Sequence, residues 1–354
     1  MTFGAKNARF LRRFDPVVLC YLGGFILGQI APPPAAAAAA IAGLGVLFCI
    51  PLMLMPFDLR ASFRALPMAF LAMAFFGFLV CVMSVLVAAF FDLPSKSIFA
   101  GMLAATFVGS APNLASVGLA LHMPHEDFLL VQATDLLLSG SFFLFIIAIF
   151  IPFLFKKVPL AEGPRLPQAS WANQPAAKKW PLAAYTKPLL GCLLLVGLSL
   201  LVRSFFATQK NLATMLTISL LSLLMAMLPK KAPTLDTKPL GEFSFLFFCA
   251  AIGSQLKPSI LLDINPSMVA YGFTVLFLSV TCHFFFCKKF SINKNLFLVS
   301  FSAGIFSPAM ITPIASRSSD KALVPIGLTI AVFGLSLGTG AGLLVHYVIS
   351  LGGF

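Results

Sequence analysis

The sequence predicts an all-α polytopic membrane protein with about 11 transmembrane helices, and three observations predict it. Of 354 residues, 60% are hydrophobic and only 10% charged, with a mean hydropathy of +1.00. A soluble domain is roughly half apolar and about a quarter charged, so an ordinary globular enzyme is excluded. Thirty-nine Phe stand against four Tyr and two Trp, as expected where side chains face lipid and need no polar handle. A crossing helix needs about 20 apolar residues, so a chain of this length with short loops holds roughly ten to twelve of them.

The apolar runs give candidate spans at 16–31, 35–55, 65–91, 97–121, 126–155, 184–206, 211–229, 239–257, 266–287, 295–315 and 323–351. The first follows Lys6, Arg9, Arg12 and Arg13 and superficially resembles a signal peptide. Pro32-Pro33-Pro34 and the immediate second apolar run predict an uncleaved span instead. The second opens on Ala35–Ala40, and alanine propagates helix well. The fourth contains Gly109-Ser110-Ala111-Pro112-Asn113, and Pro112 removes a backbone donor and clashes one turn back, so a broken helix is expected in mid-membrane. The fifth is a very long run behind His122-Met123-Pro124-His125-Glu126-Asp127.

Residues 156–182 are rich in Pro, Ala, Lys and Gln, cannot bury a core, and divide the chain. Residues 1–155 form the first transmembrane repeat and 183–354 the second, which includes one extra helix, the sixth span. The seventh to eleventh spans then repeat the first five. Gly43 and Leu47-Phe48-Cys49 resemble Gly241 and Phe247-Phe248-Cys249, while Ser110-Ala111-Pro112 resembles Ser307-Pro308-Ala309. In the tenth span, Gly304-Ile305-Phe306-Ser307-Pro308 gives the matching break, with Thr312-Pro313 behind it. Two related five-helix repeats with broken helices at spans 4 and 10 are the sequence pointer to a transporter core.

The net charge of +13 does not indicate nucleic acid, because Lys and Arg fall in short clusters between apolar runs. The expected surroundings are membrane lipids, in a bacterial cytoplasmic membrane, with a small-molecule or ion substrate and either a monomer or a homodimer. Strict alternation of eleven spans makes the halves parallel and splits the basic loops almost evenly between the two sides. An inverted arrangement, which needs the first or the sixth span not to cross fully, collects most of them on one side and is the preferred scheme. The seven cysteines lie almost wholly inside apolar runs with no CxxC, which predicts packing thiols.

Asp135 is the most informative single residue. It lies about nine residues into its helix, so roughly 14 Å deep, and it is the one acid so far inside an apolar run. A carboxylate there is costly unless paired, hydrated or protonated, so a functional role is the default reading. Gln132 and Thr134 sit beside it. Ser110, Asn113, Thr134, Asp135, Ser307 and Thr312 are the candidate substrate- or ion-binding residues, and Gly109, Pro112, Gly304 and Pro308 the residues that break the helices. His283 and His346 read as interfacial packing, and Gly334, Gly338 and Gly342 as a small-residue stripe for close helix approach. No HExxH, GxSxG or Walker loop occurs, so no enzyme activity, metal or cofactor is expected beyond Na+ or H+ as a coupling ion. The expected function is a secondary active transporter of a small solute working by alternating access; a membrane scaffold or receptor, and then a lipid-modifying enzyme, are the rival readings.

Gly109-Ser110-x-x-Asn113 followed by Ala133-Thr134-Asp135, with Leu246–Gly253, Pro308-Ala309 and the Gly334, Gly338-Thr339, Gly342 pattern, resembles the YjcL-like family of multi-pass membrane proteins. The sequence departs from that family's Gly-Gly-Pro-Ala segment, with Phe306 and Ser307 in place of the two glycines. The resemblance implies a bile-acid-symporter-like or cation/proton-antiporter-like core with two crossed broken helices.

Overall fold

The computed structural model describes residues 16–56, 58–157, 185–206, 210–228, 237–258, 264–306, 311, 314 and 323–352, and the regular structure among them is helical. In chain order the helices are α1 (Pro16–Ile30), α2 (Ala35–Leu54), a short α3 (Leu59–Ala65), α4 (Pro67–Ala88), α5 (Lys96–Gly109), α6 (Ala111–Ala120) and α7 (His125–Phe145). A π-helical turn at Ile146–Phe150 leads into α8 (Ile151–Lys157). Then come α9 (Thr186–Ser204), α10 (Lys210–Met227), α11 (Lys238–Gly253), α12 (Pro266–Lys289), α13 (Lys294–Ile305) and α14 (Leu323–Gly352). Local chemistry sets several boundaries. Proline stands in the first turn of α4, α6, α11 and α12, where its missing N–H is no loss. Asn265 and Asn293 cap α12 and α13 by accepting the amides of Ser267 (2.9 Å) and Leu296 (2.7 Å).

Five stretches among the described residues are long and apolar enough to cross a membrane: Pro67–Ala88, His125–Leu154, Thr186–Ser204, Pro266–Lys289 and Ile326–Gly352. Their outward faces carry side chains such as Phe78, Leu144, Leu194 and Phe277, while the centre of the molecule is α5, α13 and the first half of α14. From Phe99 to Gly109 and from Leu296 to Ile305 every residue is buried.

Close contacts fix the chain directions. Counting α1 as up, α11 runs parallel to it, since a Cβ on Gly24 would meet Ala250 O, one on Gly28 would meet Ser254 O, and the Gln29 amide reaches Leu256 O at 3.0 Å. α2 runs antiparallel to α11, with Gly45 against Ser244 and Phe248, and Gly241 against Cys49 and Met53. α4 runs antiparallel to α12, for Tyr271 donates to Ser84 O (2.9 Å) at one end and Phe75 stacks on Phe286 (3.6 Å between centroids) at the other. The counterpart pairs α2 with α11 and α4 with α12 thus each lie side by side in opposite directions.

The fourth span departs from the sequence expectation. A broken helix continuing across the membrane was expected over 97–121; instead α6 folds back along α5 as a helical hairpin with its tip at Ser110. The Met102 methyl lies 2.9 Å from where a Gly118 Cβ would stand, and Ala105 and Val117 both lie against Gly342. Residues sixteen apart in one straight helix would be about 24 Å apart. The turn is made by Ser110 itself, at φ 64°. Gly and Pro signal a break whether the chain then continues or reverses; small residues on the facing sides of α5 and α6 decided for reversal. In the tenth span the helix ends at the expected break, at Ile305, with Phe306 extended; Ser307, Pro308 and Thr312 lie outside the described residues.

Candidate functional site

The hairpin tip is held by α14. Gly101, Ala105 and Gly109 on α5 face Gly342, Gly338 and Gly334 on α14, antiparallel and reciprocal. A Cβ on Gly101 would stand 2.7 Å from Gly342 O, and one on Gly342 would stand 2.5 Å from Gly101 O. The glycine stripe therefore does serve packing, and its partner is the hairpin. Close backbone approach of this kind is what small residues at four-residue spacing permit.

At the tip, Asn113 is fully buried and its Oδ1 accepts from the Thr339 backbone amide (2.9 Å) and hydroxyl (2.7 Å), while its Nδ2 donates to Gly109 O at 2.5 Å. The side chain thus clamps hairpin to α14, and sequence reading had not assigned Thr339 this role. The Ser110 hydroxyl donates to Gly109 O (2.6 Å), and its amide divides between Thr106 O (2.6 Å) and Gly304 O (3.2 Å). The last bond joins the tip of the first-half hairpin to the end of α13. Gly109, Ser110, Asn113 and Gly304 thus lie together at the hairpin tip, with Pro112 in the first turn of α6.

Asp135 lies one layer away on α7, 5% exposed. Its carboxylate accepts from Ser139 (3.1 Å) and from Thr106 on α5. Gln132, one turn earlier on the same face, accepts the Tyr21 hydroxyl of α1 at 2.9 Å, and its Nε2 is buried with no partner among the described residues. Thr106 links the two layers, because its carbonyl takes the Ser110 amide. Thr134 is also fully buried, but its hydroxyl is spent on Leu130 O (2.8 Å) in its own helix, so it supplies nothing to Asp135. Sequence reading missed Thr106, Ser139 and Tyr21. The i, i+4 spacing of Asp135 and Ser139 was a signal; the reach from α1 and α5 was not visible.

Elsewhere, His283 is not interfacial. It is wholly buried among Phe76, Phe286 and Phe297, with Nε2 and Ser300 Oγ 2.8 Å apart. Ser300 Oγ also lies 3.0 Å from Phe297 O, and Cys287 Sγ lies 3.6 Å from the same ring nitrogen. His122, His125 and Glu126 are exposed at the turn before α7. None of the seven cysteines is in a disulfide, and four of them are buried.

Apolar helices of membrane-crossing length, a helical hairpin inside the bundle and a buried carboxylate define a polytopic α-helical membrane protein. The family described as "Protein of unknown function (DUF819)" matches residues 6–351, and the chain belongs to it. No curated protein and no solved structure matches the chain.

Proposed function

We propose that this protein is a secondary active transporter that moves a small solute by alternating access, with the polar layer around Ser110, Asn113 and Asp135 as its binding region. The observation that carries the reading is the meeting of the two halves at the Ser110 amide and Gly304 O, in the middle of antiparallel counterpart helices. Opposed halves whose interrupted helices end at a common point are what alternating access needs, since exchanging the conformations of the halves moves the opening from one face to the other. Helix ends in the bilayer are tolerated where they are buried in protein or line a cavity, and here they carry Ser and Asn side chains.

Two bundles support the same reading. α1, α2, α9, α10 and α11 pack on one another, as do α4, α5, α12, α13 and α14, with α6 and α10 at the seam. The narrower resemblance to bile-acid-symporter-like and cation/proton-antiporter-like cores fits a two-bundle design. On this reading the chain is not an enzyme, and the coupling ion is Na+ or H+. The test is a screen of small organic solutes in proteoliposomes, recording uptake and ion flux. Accumulation of one solute against its gradient, driven by an imposed Na+ or H+ gradient, is the expected outcome. A scaffold or receptor gives no flux with any solute under either gradient.

A further inference from the structure

We propose that the turn between α12 and α13, with the lipid-facing side of α12 behind it, binds one molecule of an anionic phospholipid. Lys288 and Lys289 hold its phosphate, and an acyl chain lies along Leu278, Phe285 and Phe290. Transport is not needed for this binding.

The charge at the turn has one sign. Lys288 and Lys289 close α12 and Lys294 opens α13, while no Asp or Glu occurs from 264 to 319. Lys288 and Lys289 are exposed, and neither is in an ion pair among the described residues. The dipole of α12 favours lysine in its last turn, but at Lys294 the dipole of α13 opposes it. The cluster is therefore more than charge matching at a helix end.

The turn is held in one shape. Ser291 takes φ 53°, and the Ile292 amide reaches back to Cys287 O at 2.8 Å, the bond of a Schellman closure. Phe290 is half-exposed yet packs on Phe286 (4.6 Å between centroids), which stacks on Phe75 of α4 (3.6 Å). An aromatic surface fixed in this way costs little further ordering when a chain settles on it.

Leu278, Cys282, Phe285 and Lys289 follow at four-, three- and four-residue spacing, so they share one face of α12. Leu278, Phe285 and Lys289 are exposed there. The stripe is about 16 Å long at 1.5 Å per residue, close to one leaflet of a hydrocarbon core about 30 Å thick. Charge at one end and hydrocarbon below is the order of groups in a phospholipid. α4 begins at the end of the bundle where α2 stops, and α12 runs antiparallel to α4, so the turn shares that end with Arg60 on α3. Basic groups beside the bilayer surface attract anionic headgroups. From this turn α13 runs inward to Gly304, whose carbonyl takes the Ser110 amide at 3.2 Å. A bound lipid thus bears on the helix that meets the hairpin tip.

The experiment measures the thermal-unfolding midpoint of the full-length protein in detergent as dioleoyl phosphatidylglycerol is added, against dioleoyl phosphatidylcholine and against inorganic phosphate. A ligand that binds only the folded state raises the midpoint, here by about 3 °C or more with phosphatidylglycerol alone. Each lysine is worth about fivefold in affinity, so Lys288→Gln with Lys289→Gln moves the half-maximal lipid concentration up about thirtyfold. Lys289→Arg keeps the charge and the response. Arg60→Gln, at an exposed position at the same end, leaves it within about twofold. An equal response to phosphatidylcholine shows general solvation by lipid, and an equal response to phosphate shows a free-anion site; either overturns the proposal. So does an unchanged response in the double lysine variant, or one weakened as much by Arg60→Gln.

Discussion

At the scale of single residues, the described glycines mark close backbone approaches, and their neighbours decide what each can tolerate. A Cβ on Gly342 would stand 2.5 Å from Gly101 O and 2.6 Å from Ala105 Cβ, both on a helix with no room to retreat. Gly342→Val is expected to destabilise the protein by about 2–3 kcal/mol through overpacking. Gly43, by contrast, meets nothing within 4 Å, so Gly43→Ala should be neutral or stabilise by up to about 1 kcal/mol through helix propensity. Thermal midpoints of the two variants in detergent check the contrast; equal midpoints would mean α5 and α14 are farther apart than described. Asn113 illustrates a different limit. Its polar type and its place beside Pro112 were legible, but Thr339, 226 positions away, was not.

At the scale of elements, the hairpin of α5 and α6 is the feature with the clearest consequence. Ala105 Cβ and Val117 Cγ2 lie within 2.6 and 2.9 Å of one point, the Cβ position of Gly342. In a single continuing helix these residues would be about 18 Å apart. With the seven native cysteines replaced, Ala105→Cys together with Val117→Cys should cross-link through mercuric ion or a short bis-thiol reagent. A protein that yields no cross-linked product, while each single cysteine still reacts, has a straight fourth span. The sequence located this element well, since α5 begins and α6 ends within a residue of the predicted 97–121. What it could not supply was the direction after Ser110. A positive φ at a non-glycine residue is tolerated only where surrounding packing enforces it, and that packing comes from α13 and α14.

At the scale of the whole molecule, the hairpin bears on the conflict between charge distribution and span count. Because α5 and α6 enter and leave on one side, α7 runs down and ends on the side where α1 begins. The start of α1 and the end of α8 therefore lie at one end of the bundle, the arrangement that the basic clusters favour. α14 runs antiparallel to α5 and so ends on the other face. Reporter fusions after Lys6, within 158–181 and after Phe354 should give one signal for the first two and the opposite signal for the third. Opposite signals from the first two would restore the strict alternation of eleven spans and the parallel halves it entails.

Composition and the length of apolar runs by themselves determined that the protein is a helical membrane bundle, because the bilayer leaves the backbone few other ways to satisfy its hydrogen bonds. Helix boundaries followed as well, since proline, the alanine run and the asparagine caps act within a turn of where they stand. Asp135 was conspicuous for the same reason: a charge in an apolar run is costly whatever surrounds it. Only the tertiary structure decided that the fourth span reverses, that Thr339 clamps Asn113, and that Thr106 and Ser139 rather than Thr134 face the carboxylate. Those outcomes depend on which helices lie side by side and in which direction. That is set by backbone approach at glycines on α1, α5, α11 and α14, summed over contacts more than two hundred residues apart in the chain, and no local pattern encodes it.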